Sequence, residues 1–348
     1  MKKMMNDYSF EQIMEPVWSS PVIYEESLTM SEENGVADAY LLFQPGKVLS
    51  VTSADRTMEY VQGQDWEVEG RCFRLTPNSR IFRFRPEELI FDEERPGECF
   101  AAKDGRYSLF GEGHFFHDRQ ISITYEKEDD DLEMAQESVL TYLPESAKKL
   151  QQKKTLKIVL LGDSITEGYN SSGLTGAPPY LPTWGELLAE KLRRYYKTEV
   201  ELINNAVAGK KSTWGIETAK ERAGVYQPDL VIIAFGMNDT LIPDEFVKNI
   251  IMIMEKVRED APEAEFLVCA TTLPNAILQG FNAYQGEYGE ALKQLKQKGV
   301  GVADFGQMHK QLLRRKRFID MTGNNVNHPN DFLTRCHAQL VAGMMMER

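Results

Sequence analysis

Four short segments carry the side chains that could do chemistry. Gly162-Asp163-Ser164 follows the apolar run Ile158 to Leu161. Asn204 to Gly209 follows a second apolar stretch, and Gly236-Met237-Asn238-Asp239 a third. Asn327-His328-Pro329-Asn330 lies before the last helical pattern. A serine delivered to the carboxyl end of a parallel strand can be a nucleophile if a histidine and a set of oxyanion donors come to meet it. Each segment also has a plainer reading. A serine after a strand caps a helix. Asn238-Asp239 makes an ordinary turn. A loop histidine such as His328 is often merely solvated. The other histidines are weaker candidates: His309 and His337 fall in helical patterns, and His114 and His117 flank Phe115-Phe116 in the first half of the chain.

The elements that must position these residues change character along the chain. From Leu156 onward short continuous apolar runs alternate with amphipathic segments. Strands are expected at 157–162, 199–204, 229–235, 265–271 and 300–305. Helices are expected at 183–196, 213–225, 244–260 and 284–298, with a last one from about Asn330. Uninterrupted apolar strands imply a sheet covered on both faces. Strand–helix alternation implies a three-layer α/β/α arrangement around a parallel sheet. In such a sheet the first three segments converge on one edge. The front of the chain instead alternates with period two, as in Trp66-Glu67-Val68-Glu69, Ile81 to Arg85 and Ile121 to Tyr125, punctuated by Gly and Pro. This reads as a small all-β sandwich or jelly-roll domain over 1–144, with a further strand at 139–144. A polar linker over 145–155 and an α/β domain over 156–348 follow.

Composition excludes several classes. The net charge of −13 argues against a nucleic-acid partner, because phosphate binding needs clustered Lys and Arg. The basic runs at 148–154 and 314–317 are short and read as solvated faces. Nothing approaches the ~20 apolar residues of a membrane span. The start has a basic hint but no apolar core of a signal peptide, so a cytoplasmic location is expected. The four cysteines are widely spaced and read as free thiols rather than metal ligands or disulfides. In a cytoplasmic chain the glycosylation patterns at Asn170-Ser171-Ser172 and Asn238-Asp239-Thr240 are expected to be empty. Oligomeric state is not legible.

Taken in order, the four segments resemble the blocks of the SGNH, or GDSL-type, hydrolase family, over roughly Leu156 to Gly343. Lys211-Ser212-Thr213-Trp214-Gly215 and Thr322-Gly323 are similar to sugar-ester members. The resemblance implies a flavodoxin-like fold, with Ser164 as nucleophile and His328 as general base and then acid. It implies oxyanion donors on the Ser164 and Gly209 backbones and the Asn238 amide, where glycine leaves room for the tetrahedral carbon and a neutral amide donates without bringing charge. It implies no metal and no cofactor.

One position departs from the pattern. The family places an Asp three residues before its histidine, and here that residue is Asn325. Either Asp320 or Asp331 fills the role, or the site is a Ser–His dyad with a backbone carbonyl accepting from the imidazole; the dyad is favoured. Asp163 is expected to steady its turn rather than do acid–base work. A β domain ahead of an SGNH domain resembles carbohydrate esterase family two. That likeness implies a small acylated substrate, an acetylated sugar; Tyr169 and Trp214, with Tyr180 and Trp184 beside them, would offer it a stacking surface. For Trp184 and Trp214 helix packing is an equal alternative. The other readings kept open are a short-chain esterase or thioesterase on non-sugar substrates, and a carbohydrate-binding protein with impaired turnover.

Overall fold

A computed structural model describes residues 8–128, 132, 134 and 137–347. The readings made on the first seven residues lie outside the described residues. The back half forms a five-stranded parallel sheet from Leu156–Gly162, Val200–Asn204, Leu230–Ala234, Glu265–Ala270 and Val300–Asp304. By chain position the strands run in the order second, first, third, fourth, fifth. The inner strands are the apolar runs of the sequence. Leu230 to Ala234 and Glu265 to Ala270 are buried throughout, as a sheet covered on both faces requires.

The strand order places the catalytic candidates. The chain moves one way from the first strand to the second, then crosses back to the third. Loops leaving the carboxyl ends of the first and third strands therefore open a crevice between them. Gly162 pairs with Ala234 across that crevice, so Ser164 and Asn238 leave neighbouring strands at one level. The loop after the second strand joins from the other side, tied down by Asn205 N–H to the Leu160 carbonyl at 3.0 Å and Val207 N–H to the Gly162 carbonyl at 3.1 Å.

Among the described residues, the front of the chain folds into three small antiparallel sheets. Its largest strands, Val22–Thr29, Pro45–Ser53 and Gln120–Lys127, lie together with Gln120–Lys127 in the middle. Two sequence expectations fail here for local reasons. Ile81 to Arg85 makes only one bridge, from Phe84 to Ser31, before Pro86 starts a short helix. Residues 139–144 are not a strand, because Pro144 opens the Pro144–Gln151 helix within the expected linker and the Val139 N–H is taken by the Met344 carbonyl. That helix docks on the sheet, with Glu265 accepting from the Glu145 and Ser146 N–H groups at 3.0 and 2.8 Å.

The last helix, Asp331–Met345, is buried along almost its whole length. One side packs on the parallel sheet's helices and the other meets the β domain. Arg335 donates to the carbonyls of Tyr24 and Glu25 at 2.9 and 2.7 Å. Asn330 caps the helix through Leu333 N–H and donates to Ser27 Oγ and Gln120 Oε1. His328 is thus held three residues before the start of a helix clamped between the two halves.

Candidate active site

Ser164 is the first residue of a four-residue helix, Ser164–Glu167, so its N–H has no acceptor within the helix. Asp163 caps that helix by accepting from Ile165 N–H at 3.1 Å. Its other oxygen accepts from Met237 N–H at 3.4 Å and ties the serine turn to the loop carrying Asn238. Burial pushes the Asp163 carboxyl up to about 7 against the pull of these N–H bonds, with neighbouring Asp239 adding to the rise. Asp163 thus holds the turn, as expected.

The His328 imidazole sits directly over the serine. Its Nε2 lies 2.8 Å from Ser164 Oγ, and both residues are buried. Its Nδ1 lies 2.7 Å from Asn170 Oδ1. The Asn170 amide nitrogen donates to the carbonyls of Gly113 and Gly323 at 2.7 and 3.2 Å, so its oxygen is the atom turned to the imidazole. Nδ1 therefore carries the proton, and Nε2 is left bare to accept from the serine hydroxyl. The loop before His328 is organised by Asn324, whose Oδ1 accepts from the N–H groups of Val326, Asn327 and His328 at 2.9 to 3.1 Å.

None of the three residues expected beside the imidazole reaches it. Asn325 takes a left-handed backbone at φ 61° and sends its amide to Ser108 Oγ and the Leu109 carbonyl. Asp320 accepts from Thr29 N–H and Arg317. Asp331 accepts from Ser172 N–H at 2.8 Å. The expected backbone carbonyl is replaced by the Asn170 side chain. The sequence marks Asn170 as part of a glycosylation pattern and of the loop after Ser164 expected to wall the site, not as a partner of the histidine, and its side chain is in fact buried. One further group approaches: Glu112 Oε1, from the β domain, is 3.5 Å from Nδ1. No local signal in the sequence pointed to Glu112, which lies on a Gly-Glu-Gly turn far from the histidine along the chain.

The donor candidates line the same cleft, of about 190 Å³, as Ser164 and His328. Gly209 is exposed and adopts φ 75°, a backbone that glycine takes without strain. Asn238 spends one amide hydrogen on the Lys210 carbonyl at 3.0 Å and keeps a second. Tyr169 stands edge-on to the imidazole at 5.4 Å and lines the cleft. Trp214 does not. It packs on Phe235 from the Ser212–Arg222 helix, beneath the Arg222 guanidinium. Trp184 is buried, with its N–H on the Ile165 carbonyl. Tyr180 is exposed and lies outside the cleft. The aromatic wall instead comes from Phe100, Phe110 and Phe281, set edge-on at 5.0 and 6.0 Å.

The remaining histidines lie away from the serine. Burial holds His309 and His337 far below the ordinary imidazole range, at about 3. His117 Nε2 contacts the Pro178 carbonyl at 2.7 Å, and His114 pairs with Asp118.

Residues 160–332 match the GDSL-like lipase/acylhydrolase family. An arylesterase from Vibrio mimicus is 31% identical over 85 residues, 24% of this chain and 38% of that protein. A solved two-domain esterase active on acetylated mannans superposes over 60% of this chain and 53% of its own, at 21% identity and a TM-score of 0.49. An acetylxylan esterase from Geobacillus stearothermophilus does so over 56% and 97%, at 15% identity and a TM-score of 0.45. The chain spans about two fifths of the arylesterase and about half of the mannan esterase. Residues 160–332, which hold Ser164, Gly209, Asn238 and His328, are the part of the chain that is similar to the GDSL-like lipase/acylhydrolase family.

Proposed function

We propose that the protein is a serine carboxylic-ester hydrolase that removes short acyl groups, acetyl above all, from small sugars or oligosaccharides. One observation carries the reading: a bare Nε2 of His328 stands 2.8 Å from Ser164 Oγ while its Nδ1–H is pinned by Asn170. The chemistry follows from that pair. His328 takes the hydroxyl proton as Ser164 Oγ attacks the ester carbonyl carbon. The carbonyl oxygen becomes an oxyanion and is met by the N–H groups of Ser164 and Gly209 and the free amide hydrogen of Asn238. The C–O bond to the alcohol then breaks, and the imidazolium protonates the departing alkoxide. Water repeats the cycle on the acyl-enzyme: His328 deprotonates it, and the carboxylic acid leaves as Ser164 recovers its proton.

Cleft size supports the short acyl group. A space of about 190 Å³ is below the several hundred that house drug-sized ligands. The ring edges and faces of Phe100, Phe110 and Phe281 suit the C–H face of a sugar. They suit an aromatic alcohol equally, and that wall favours a second reading as an esterase of aryl or other apolar acetates. The fluorogenic acetate assay tests the core of the proposal. The wild type is expected to turn over at least 10³-fold faster than Ser164→Ala, the loss typical when a serine–histidine unit is broken. Equal rates would overturn it. Acetylated xylose, mannose and glucose run beside phenyl acetate and acyl-CoA then rank sugar against non-sugar acceptors, and a fall in kcat/KM from acetyl to octanoyl esters checks the acyl limit.

A further inference from the structure

We propose that Glu112 is a positioning residue for the reaction: carried by the β domain, it supplies the negative charge that His328 lacks within its own domain, so that the site is completed only where the two domains meet. This rests on the esterase reading above. Asn170 fixes the tautomer and direction of the imidazole, but an amide is neutral and does little for the imidazolium that forms at the transition state. A carboxylate placed near Nδ1 acts on that cation directly, through a partly desolvated gap where charge interactions are stronger than in water. Glu112 Oε1 stands 3.5 Å from Nδ1, beside the Asn170 oxygen that takes the hydrogen bond.

The glutamate is built in from both sides. Its Oε1 accepts from the Asn324 amide at 3.3 Å, the side chain that organises the histidine loop. The next residue, Gly113, turns at φ 67° and offers its carbonyl to the Asn170 amide at 2.7 Å. One turn of the β domain thus contacts the histidine and both asparagines around it. The strand edge beside that turn is stitched to the hydrolase domain. Lys103 N–H bonds the Ile277 carbonyl at 2.8 Å, and Gln279 N–H bonds the Ala101 carbonyl at 3.0 Å. Although burial opposes its charge, contact with His328 and hydrogen bonds from Asn324 and Gly113 hold the Glu112 carboxyl below the ordinary range, so it is ionised at neutral pH.

The test separates charge from shape. Glu112→Gln keeps the side chain's size and removes its charge; kcat on an acetate ester is expected to fall about 10- to 100-fold with KM within about twofold, the pattern of an interaction made only in the transition state. Glu112→Asp keeps the charge on a side chain one methylene shorter and is expected to exceed Glu112→Gln in kcat by at least about tenfold, although Gln matches the glutamate's shape better. A residue that merely shaped the turn would not show this order. The proposal is overturned if Glu112→Gln retains wild-type kcat while Ser164→Ala is inactive, or if Glu112→Asp is no faster than Glu112→Gln. Activity surviving in Ser164→Ala overturns the esterase reading and this inference with it.

Discussion

Asn238 is the residue whose role can be weighed most directly. Its amide stands in the cleft with one hydrogen on the Lys210 carbonyl and one free, so in the proposed reaction it would donate without reorganising. Asn238→Ala is expected to lower kcat on an acetate ester by about 10²- to 10³-fold with little change in KM, because a ground-state carbonyl gains less from the donor than an oxyanion does. Steady-state kinetics on the purified variant checks this. At the same scale, Ser164, Gly209, Asn238 and His328 were legible in the sequence because each sits at a fixed offset from a strand end or a helix start. Asn170 and Glu112 were not. Asn170 reaches the imidazole from a loop that turns back on itself at φ 63°; the flanking Gly168, Ser171 and Gly173 mark a turn but not where it aims the side chain. Asn325, three residues before the histidine, drew attention by position, yet its left-handed backbone aims the side chain at the β domain.

Among the elements, the serine turn and the third-strand loop act as one unit through Asp163. The carboxyl is fully buried, and its pKa lies near 7 against an ordinary value of 3.8. A raised pKa favours the folded state where the group is protonated. This contribution is therefore complete below about pH 4 and is lost progressively until pH 7, at about 1.4 kcal/mol per pH unit. Urea unfolding at several pH values is expected to show wild-type stability carrying this downward component between pH 4 and 7, and Asp163→Asn lacking it. An unchanged slope in the variant would mean that burial of this carboxyl is not its source. Strand limits followed from apolar runs to within a residue or so, since burial on both faces ends where the run ends. The expected helix over 284–298 did not form at full length. Gln285 is spent on the carbonyls of Met237 and Asp239, and regular helix covers only Tyr288–Leu292. A side chain that clasps a distant loop overrides local helical preference, and sequence periodicity does not register it.

Across the whole molecule, the β domain and the α/β domain share a buried polar seam. Lys316 and Glu26 form an ion pair with both side chains fully buried. Glu26 also accepts from Leu42 N–H at 2.8 Å and Tyr125 Oη–H at 2.6 Å, and Lys316 donates to the Ser27 carbonyl at 3.0 Å. Lys316→Met leaves the carboxylate buried without its cation and is expected to cost about 3–5 kcal/mol, read from denaturant unfolding. Adding Glu26→Gln removes the orphaned charge and is expected to recover most of that loss. Among the described residues, no helix is long and apolar enough to cross a membrane.

By itself the sequence determined the class of fold, the strand and helix succession of the back half, and the four segments that meet at its sheet edge. These follow from local patterns: runs long enough to bury a strand, and residues placed just past its end. Only the tertiary structure decided what supports His328, which aromatics wall the cleft, and that the β domain reaches the imidazole through Glu112. Those contacts join residues that are far apart along the chain. They form where loops from distant parts of the chain fold against one another, which no window of neighbouring residues contains.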